Sequence, residues 1–134
     1  MTGVQTCALP IYKYNYVHKE NTHNELTDYI QNKMKTVLNY VQENFNRDMS
    51  IEEIAKLCNF SEYHFMRFFK KYAGTSCLKY INNYRLEKSA ELLKSTSSSI
   101  TDISLECGFN NLSYFNKLFK RKYHLTPREF RDNI

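Results

Sequence analysis

The chain has 134 residues, 42% of them hydrophobic, with only 3 Gly and 2 Pro, which excludes a disordered chain and fits one globular domain or two very small ones. No apolar run approaches the length of a membrane span, no secretory signal opens the chain, and Cys7, Cys58, Cys77 and Cys107 lack the CxxC or His-pair spacing of a zinc site, so a reduced, cytoplasmic chain with no metal or cofactor is expected. The net charge of +5 is unevenly placed: residues 12–60 carry 6 basic and 7 acidic side chains, whereas residues 61–134 carry 13 and 7, which points to a polyanionic partner, nucleic acid ahead of an anionic membrane.

Met1–Ile11 reads MTGVQTCALPI and resembles the translation of a sequencing-adapter oligonucleotide. It is expected to be a non-native scar, and the cut it implies points to an effector-binding domain lost upstream. Residues 12–24 are polar and Tyr-rich, a linker or the remnant of that domain. Leu26, Tyr29, Ile30, Met34, Val37, Leu38, Val41 and Phe45 then recur at spacings of three and four, the apolar stripe of a long helix over 25–45.

Ser50 and Glu53 form a capping box that opens a short helix with Ile51, Ile54, Ala55 and Leu57 apolar. Cys58-Asn59-Phe60 breaks it. Ser61 caps a helix that runs to about Tyr72 and stops at Gly74. A longer helix from about Ser76 carries Leu78, Ile81, Tyr84, Leu86, Ala90, Leu92 and Leu93, and the Ser/Thr stretch at 95–99 ends it. Ser99 opens another short helix with Ile103 and Leu105, broken by Cys107-Gly108-Phe109. Asn110 or Asn111 caps a helix to about Lys122, and Thr126-Pro127 opens a final one. No segment alternates with period two, so the fold class is all-α with about seven helices.

The two halves repeat. Ile51-Glu52-Glu53-Ile54 aligns with Ile100-Thr101-Asp102-Ile103, and Cys58-Asn59-Phe60 with Cys107-Gly108-Phe109, at an offset of 49. Phe65 and Phe69-Lys70-Lys71 align with Phe115 and Phe119-Lys120-Arg121 at an offset of 50. Each copy is a short helix, a turn whose Asn59 or Gly108 tolerates positive φ, and a longer helix, which is a helix-turn-helix unit. The expected organisation is a first unit over 25–75, a linker helix over 76–95 and a second unit over 96–134.

In each unit the second helix buries one stripe and offers another. Phe65, Phe68, Phe69 and Tyr72 are expected inside, with Tyr63, Met66, Arg67 and Lys70 outside. In the second unit Phe115, Leu118 and Phe119 go inside, and Leu112, Ser113, Asn116, Lys117 and Lys120 face out. Arg and Lys recognise guanine edges, Asn recognises adenine, and apolar groups meet thymine methyls. A linker helix over 76–94 rises roughly 28 Å at 1.5 Å per residue, near the roughly 34 Å between successive major-groove segments. Lys70, Lys71, Lys79, Lys88, Lys120, Arg121, Lys122, Arg128 and Arg131 are candidate phosphate contacts, as are the helix starts at Ser50 and Ser99. Arg85 is a candidate either for a phosphate or for an anchor of the linker helix.

These motifs resemble the AraC/XylS family: Phe69-Lys70-Lys71-x-x-Gly74, Arg85-Leu86-x-x-x-Ala90-x-Leu92-Leu93, Gly108-Phe109, Ser113-Tyr114-Phe115-x-x-x-Phe119-Lys120 and Thr126-Pro127-x-x-Phe130-Arg131. The resemblance covers about Met34 to Arg131. It implies a bacterial transcription factor, usually an activator, that binds double-stranded DNA, with RNA polymerase as a further partner. It places base reading on Tyr63, Met66 and Arg67, and on Leu112, Ser113, Asn116 and Lys117. His124 stands where the family usually has Gly, and Asn59 replaces another common Gly. Three other functions compete. Glu52, Glu53, His64, Asp102 and His124 form no pair or triad for catalysis, so no enzyme is expected. A protein-interaction module would use the helix at 25–45, and a sequence-blind nucleic-acid or RNA binder would use Tyr63 and Tyr114 as stacking platforms.

Overall fold

A computed structural model describes residues 24–133. The expectations for Met1–Ile11, with Cys7, and for residues 12–23 lie outside the described residues. The described residues form seven helices and no strand: α1 (Glu25–Asn44), α2 (Ile51–Leu57), α3 (Glu62–Ala73), α4 (Cys77–Ser95), α5 (Ile100–Glu106), α6 (Leu112–Tyr123) and α7 (Pro127–Asp132).

Each helix begins on a side chain that satisfies an orphan backbone N–H. Asn24, Ser50, Ser61, Ser76, Ser99, Asn111 and Thr126 accept from the residue three positions on. Ser50/Glu53 and Thr126/Glu129 complete reciprocal capping boxes. Of the two asparagines open for the α6 cap, Asn111 takes it.

The repeat holds at the level of single hydrogen bonds. In the first turn Phe60 N–H donates to the Ala55 carbonyl at 2.9 Å, and in the second Phe109 N–H donates to Ser104 at 2.9 Å. Asn59 and Gly108 take the positive φ that both turns demand, +60° and +92°. The longer helices end alike, with Gly74 donating to Lys70 and His124 to Lys120, both left-handed. His124 adopts this conformation at φ 64°, so the departure from Gly is accommodated. The repeat also extends further than its motifs indicate. Tyr80 on α4 meets Phe69 edge-on at 5.7 Å, and Phe130 on α7 meets Phe119 edge-on at 5.3 Å. The short α7 is thus the counterpart of the first turns of α4.

Two apolar cores follow. The first gathers Met34, Val37, Val41, Ile54, Phe65, Phe69, Tyr80 and Ile81, and the second gathers Leu86, Leu93, Ile103, Phe109, Phe115 and Phe119. Helix α4 serves both, its N-terminal half through Cys77 to Tyr84 and its C-terminal half from Leu86 onward. The change-over falls at Arg85.

Several apolar positions expected inside are exposed: Leu26, Tyr29, Leu57, Leu78 and Leu105. They sit at helix ends, where the periodic stripe outruns the element that would cover it. Leu118, Tyr72 and Leu92 are half-buried.

Candidate nucleic-acid interface

Helix α3 is held from behind by Phe65, Phe68 and Phe69, which fixes its rotation and leaves Tyr63, Met66, Arg67 and Lys70 exposed on the other side. Tyr63 is 69% exposed and Met66 54%, so neither side chain is spent on packing the first core. Arg67 is not a loose charge. Its Nη1 donates to the Tyr63 hydroxyl at 2.8 Å, and its guanidinium lies 5.5 Å from the Tyr63 ring centre. Tyr63 therefore sets the direction in which the guanidinium fork projects.

Helix α6 repeats this arrangement. Phe115 and Phe119 are wholly buried; Leu112, Ser113, Lys117 and Lys120 are exposed and Asn116 is half-buried. The Tyr114 hydroxyl accepts a bond of 3.4 Å from Asn82 Nδ2 on α4, so Tyr114 ties the helix to the linker although its ring is partly exposed.

Two grooves show how the helices sit together. One, of about 690 Å³, lies between α3 and the start of α4, against Met66, Arg67, Lys70 and Leu78. The other, of about 520 Å³, lies between α4 and α6, against Leu78, Asn82, Tyr114, Leu118 and Arg121. Ser76 and Leu78 border both. The outer stripe of α3 therefore borders one groove, and the Tyr114, Leu118 and Arg121 side of α6 the other, with the first turn of α4 between them.

The basic residues separate into two sets. Lys70, Lys79, Lys117, Lys120, Arg121 and Arg128 are exposed and make no ion pair among the described residues, and Lys71 is exposed with its ammonium over the Tyr72 ring. The others are engaged internally. Arg85 donates through Nε to the Phe45 carbonyl and through Nη2 to the Arg47 carbonyl, both at 2.8 Å. Burial lowers its pKa. Its alternative as a linker anchor is the one realised. Arg131, expected on a phosphate, donates instead to the Leu93 and Thr96 carbonyls at the end of α4, each at 3.2 Å. Lys122 lies 3.4 Å from the buried carboxylate of Glu87 and is half-buried, and Lys88 lies 3.9 Å from Glu91.

The helix starts differ as well. The Ser50 N–H donates to Glu53 Oε1 at 3.0 Å. The other carboxylate oxygen accepts from Tyr40 and from Arg47 Nη2, the latter at 2.9 Å. These bonds, from Tyr40, the Ser50 backbone and Arg47, lower the Glu53 pKa to about 2. An ionised carboxylate thus occupies the seat expected for a phosphate at Ser50. Ser99 has no such carboxylate reaching back; its Oγ accepts only from Asp102 N–H, at 3.0 Å.

The cysteines are packing groups. Cys58, Cys77 and Cys107 are buried free thiols, and burial raises the pKa of all three, to about 12 for Cys77 and Cys107. A thiol so shifted is not a nucleophile near neutral pH.

A family model described as a helix-turn-helix domain matches residues 54–133. The chain belongs to the AraC/XylS family. It is 35% identical over 102 residues to the regulatory protein PocR of Salmonella typhimurium, covering 76% of this chain and 34% of that protein. It is 31% identical over 99 residues to the HTH-type transcriptional activator RhaS of an Enterobacter species, covering 74% of this chain and 36% of that protein. The chain thus spans about a third of the length of these relatives. Among solved structures, an AraC-type transcriptional regulator from Chromobacterium violaceum superposes with a TM-score of 0.71 at 33% identity, covering 77% of this chain and 92% of that one. The family model begins inside α2, so α1 lies outside the matched segment although it forms one wall of the first core.

Proposed function

We propose that the chain is a sequence-specific, double-stranded DNA-binding transcriptional regulator, acting as an activator, that seats α3 and α6 in adjacent major grooves. The observation that carries this is the duplicated outer stripe: two helices, each fixed in rotation by buried phenylalanines, present polar and basic side chains at equivalent positions after equivalent turns. Tyr63, Met66 and Arg67 read one half-site, and Leu112, Ser113, Asn116 and Lys117 read the other. Lys70, Lys71, Lys120 and Arg121 contact phosphates beside them, and the start of α5 at Ser99 offers N–H groups to another. The domain acts by binding rather than by catalysis. Activation brings in RNA polymerase as a second partner, and an effector-binding domain works together with this one.

The test is selection of duplexes from a random pool, followed by fluorescence anisotropy on the winning site across a salt series. A site with two half-sites about one helical turn apart is expected. Arg67→Ala and Lys117→Ala each relax discrimination by about 1–3 kcal/mol, at different half-sites. Binding that stays weak, salt-labile and sequence-blind after selection would sink this reading.

A further inference from the structure

The loop that leaves α1 does more than connect it to α2. The Phe45 ring packs against both apolar cores and meets Tyr84 edge-on at 5.2 Å. The Phe45 and Arg47 carbonyls receive both donors of the Arg85 fork, at the point where α4 passes from one core to the other. Gly108, in the turn of the second unit, presses on the same carbonyl: a Cβ there would stand 2.3 Å from the Phe45 oxygen and 2.8 Å from Arg85 Nε. Asp48 Oδ1 accepts from Asn110 Nδ2 at 2.8 Å, joining residues 62 positions apart in sequence. One short segment of the first unit thus touches the linker helix and the turn of the second unit together.

We propose that Phe45–Asp48 is a joint that locks the angle between the two helix-turn-helix units, so that Arg85, Asp48 and Asn110, none of them among the base- and phosphate-contacting residues proposed above, determine which half-site spacing the domain accepts. This rests on the two-helix reading above. Inserting one base pair between half-sites moves the second by about 3.4 Å and turns it by about 35°. To follow, the second unit must pivot about α4. The pivot would pull Gly108 off the Phe45 carbonyl and break the Asn110 bond to the Asp48 carboxylate, and any turn of α4 that went with it would break the Arg85 bonds; hydrogen bonds to charged groups are stronger than neutral ones. A helix alone resists bending, but the side chains that fasten each core to it can slip; the joint closes that freedom from the opposite side.

The experiment takes the site selected by the unchanged chain and varies its spacer by one base pair in each direction. Anisotropy is then measured for the unchanged chain, for Arg85→Lys, and for the double variant Asp48→Ala/Asn110→Ala. Arg85→Lys keeps the charge but cannot span two carbonyls. The double variant removes only exposed polar atoms and leaves both cores intact. The unchanged chain is expected to lose about tenfold or more in affinity at either altered spacing. Both variants should keep affinity for the best spacing within about threefold while that penalty shrinks to about threefold. A loss that is parallel across all spacings, or penalties equal to those of the unchanged chain, would overturn the joint and leave the two-helix reading standing. Failure of the unchanged chain to select a bipartite site would overturn the reading and the joint with it.

Discussion

Gly74 and Gly108 make a matched pair for testing how the second turn is built. Both have positive φ, +79° and +92°. A Cβ on Gly74 meets nothing within 4 Å, whereas on Gly108 it meets backbone at 2.3 Å. Gly74→Ala therefore carries only the left-handed strain, about 1–2 kcal/mol, offset by about 0.4–1 kcal/mol because alanine restricts the unfolded chain. The net loss should be about 0.5–1 kcal/mol. Gly108→Ala carries the same terms and must also push the Phe45 carbonyl back by about 1 Å in a close-packed region, which detaches it from Arg85. A hydrogen bond to a charged group contributes about 1.5–3 kcal/mol, so the total loss comes to about 2–4 kcal/mol. Urea denaturation with linear extrapolation measures both, and thermal midpoints should separate by several degrees. If the two substitutions cost the same within about 0.5 kcal/mol, the tight seat of Gly108 against Phe45 is not present in solution and the reasoning fails.

Other perturbations follow from the same geometry. His124→Gly should stabilise the chain by about 0.5 kcal/mol in urea titration, because relief of the left-handed strain slightly outweighs the extra freedom of the unfolded glycine; a clear destabilisation would mean that the imidazole has a contact that matters. Glu53 has a pKa lowered from 4.5 to about 2, so its contribution is complete above about pH 4.5 and fades as pH falls toward 2. The stability gap between the unchanged chain and Glu53→Gln should therefore close across that window. The gap is about 1 kcal/mol at most, since the side chain is about one-third exposed and screened by solvent. In a Cys7→Ser background, Cys58, Cys77 and Cys107 should react with a disulfide reagent only as fast as the fold opens; rapid labelling in native buffer would contradict their burial.

Much of the fold is legible in the residues because local signals agree with one another. Caps at Ser50, Ser61, Ser99 and Thr126 coincide with the start of apolar periodicity, and the two turns carry the residue types that positive φ demands. What periodicity does not encode is where a neighbour ends. Leu26 and Tyr29 continue the α1 stripe beyond the reach of the first core, and Leu57 and Leu105 lie at the ends of helices only two turns long. The correspondence of Tyr80 with Phe130 was within reach of the sequence, since Ser76 and Thr126 stand at the same offset of 50. It is masked by Tyr against Phe and by the different lengths of the helices that follow.

The basic residues were the least legible part of the site, for an electrostatic reason. Composition counts Arg85, Arg131 and Lys122 as equal to Lys117 or Arg121, yet the first three are drawn inward by acceptors distant in sequence. These are the carbonyls at Phe45 and Arg47, those at Leu93 and Thr96, and the carboxylate of Glu87. A guanidinium that already holds two carbonyls cannot offer its fork to a phosphate without giving them up. The formal excess of the C-terminal half thus overstates the charge available to a polyanion. The available charge is concentrated on α3, on α6 and at the start of α4, where Lys70, Lys71, Lys79, Lys117, Lys120 and Arg121 stand exposed. Of these, Lys70 and Lys71 line the groove between α3 and α4, and Lys79 and Arg121 line the groove between α4 and α6, two grooves that share Ser76 and Leu78. The same arginines that leave the electrostatic footprint are the ones that fasten α4 to its neighbours. The division of labour among basic residues therefore leaves Arg85 and Arg131 to fix α4 against the loop that follows α1 and against α7.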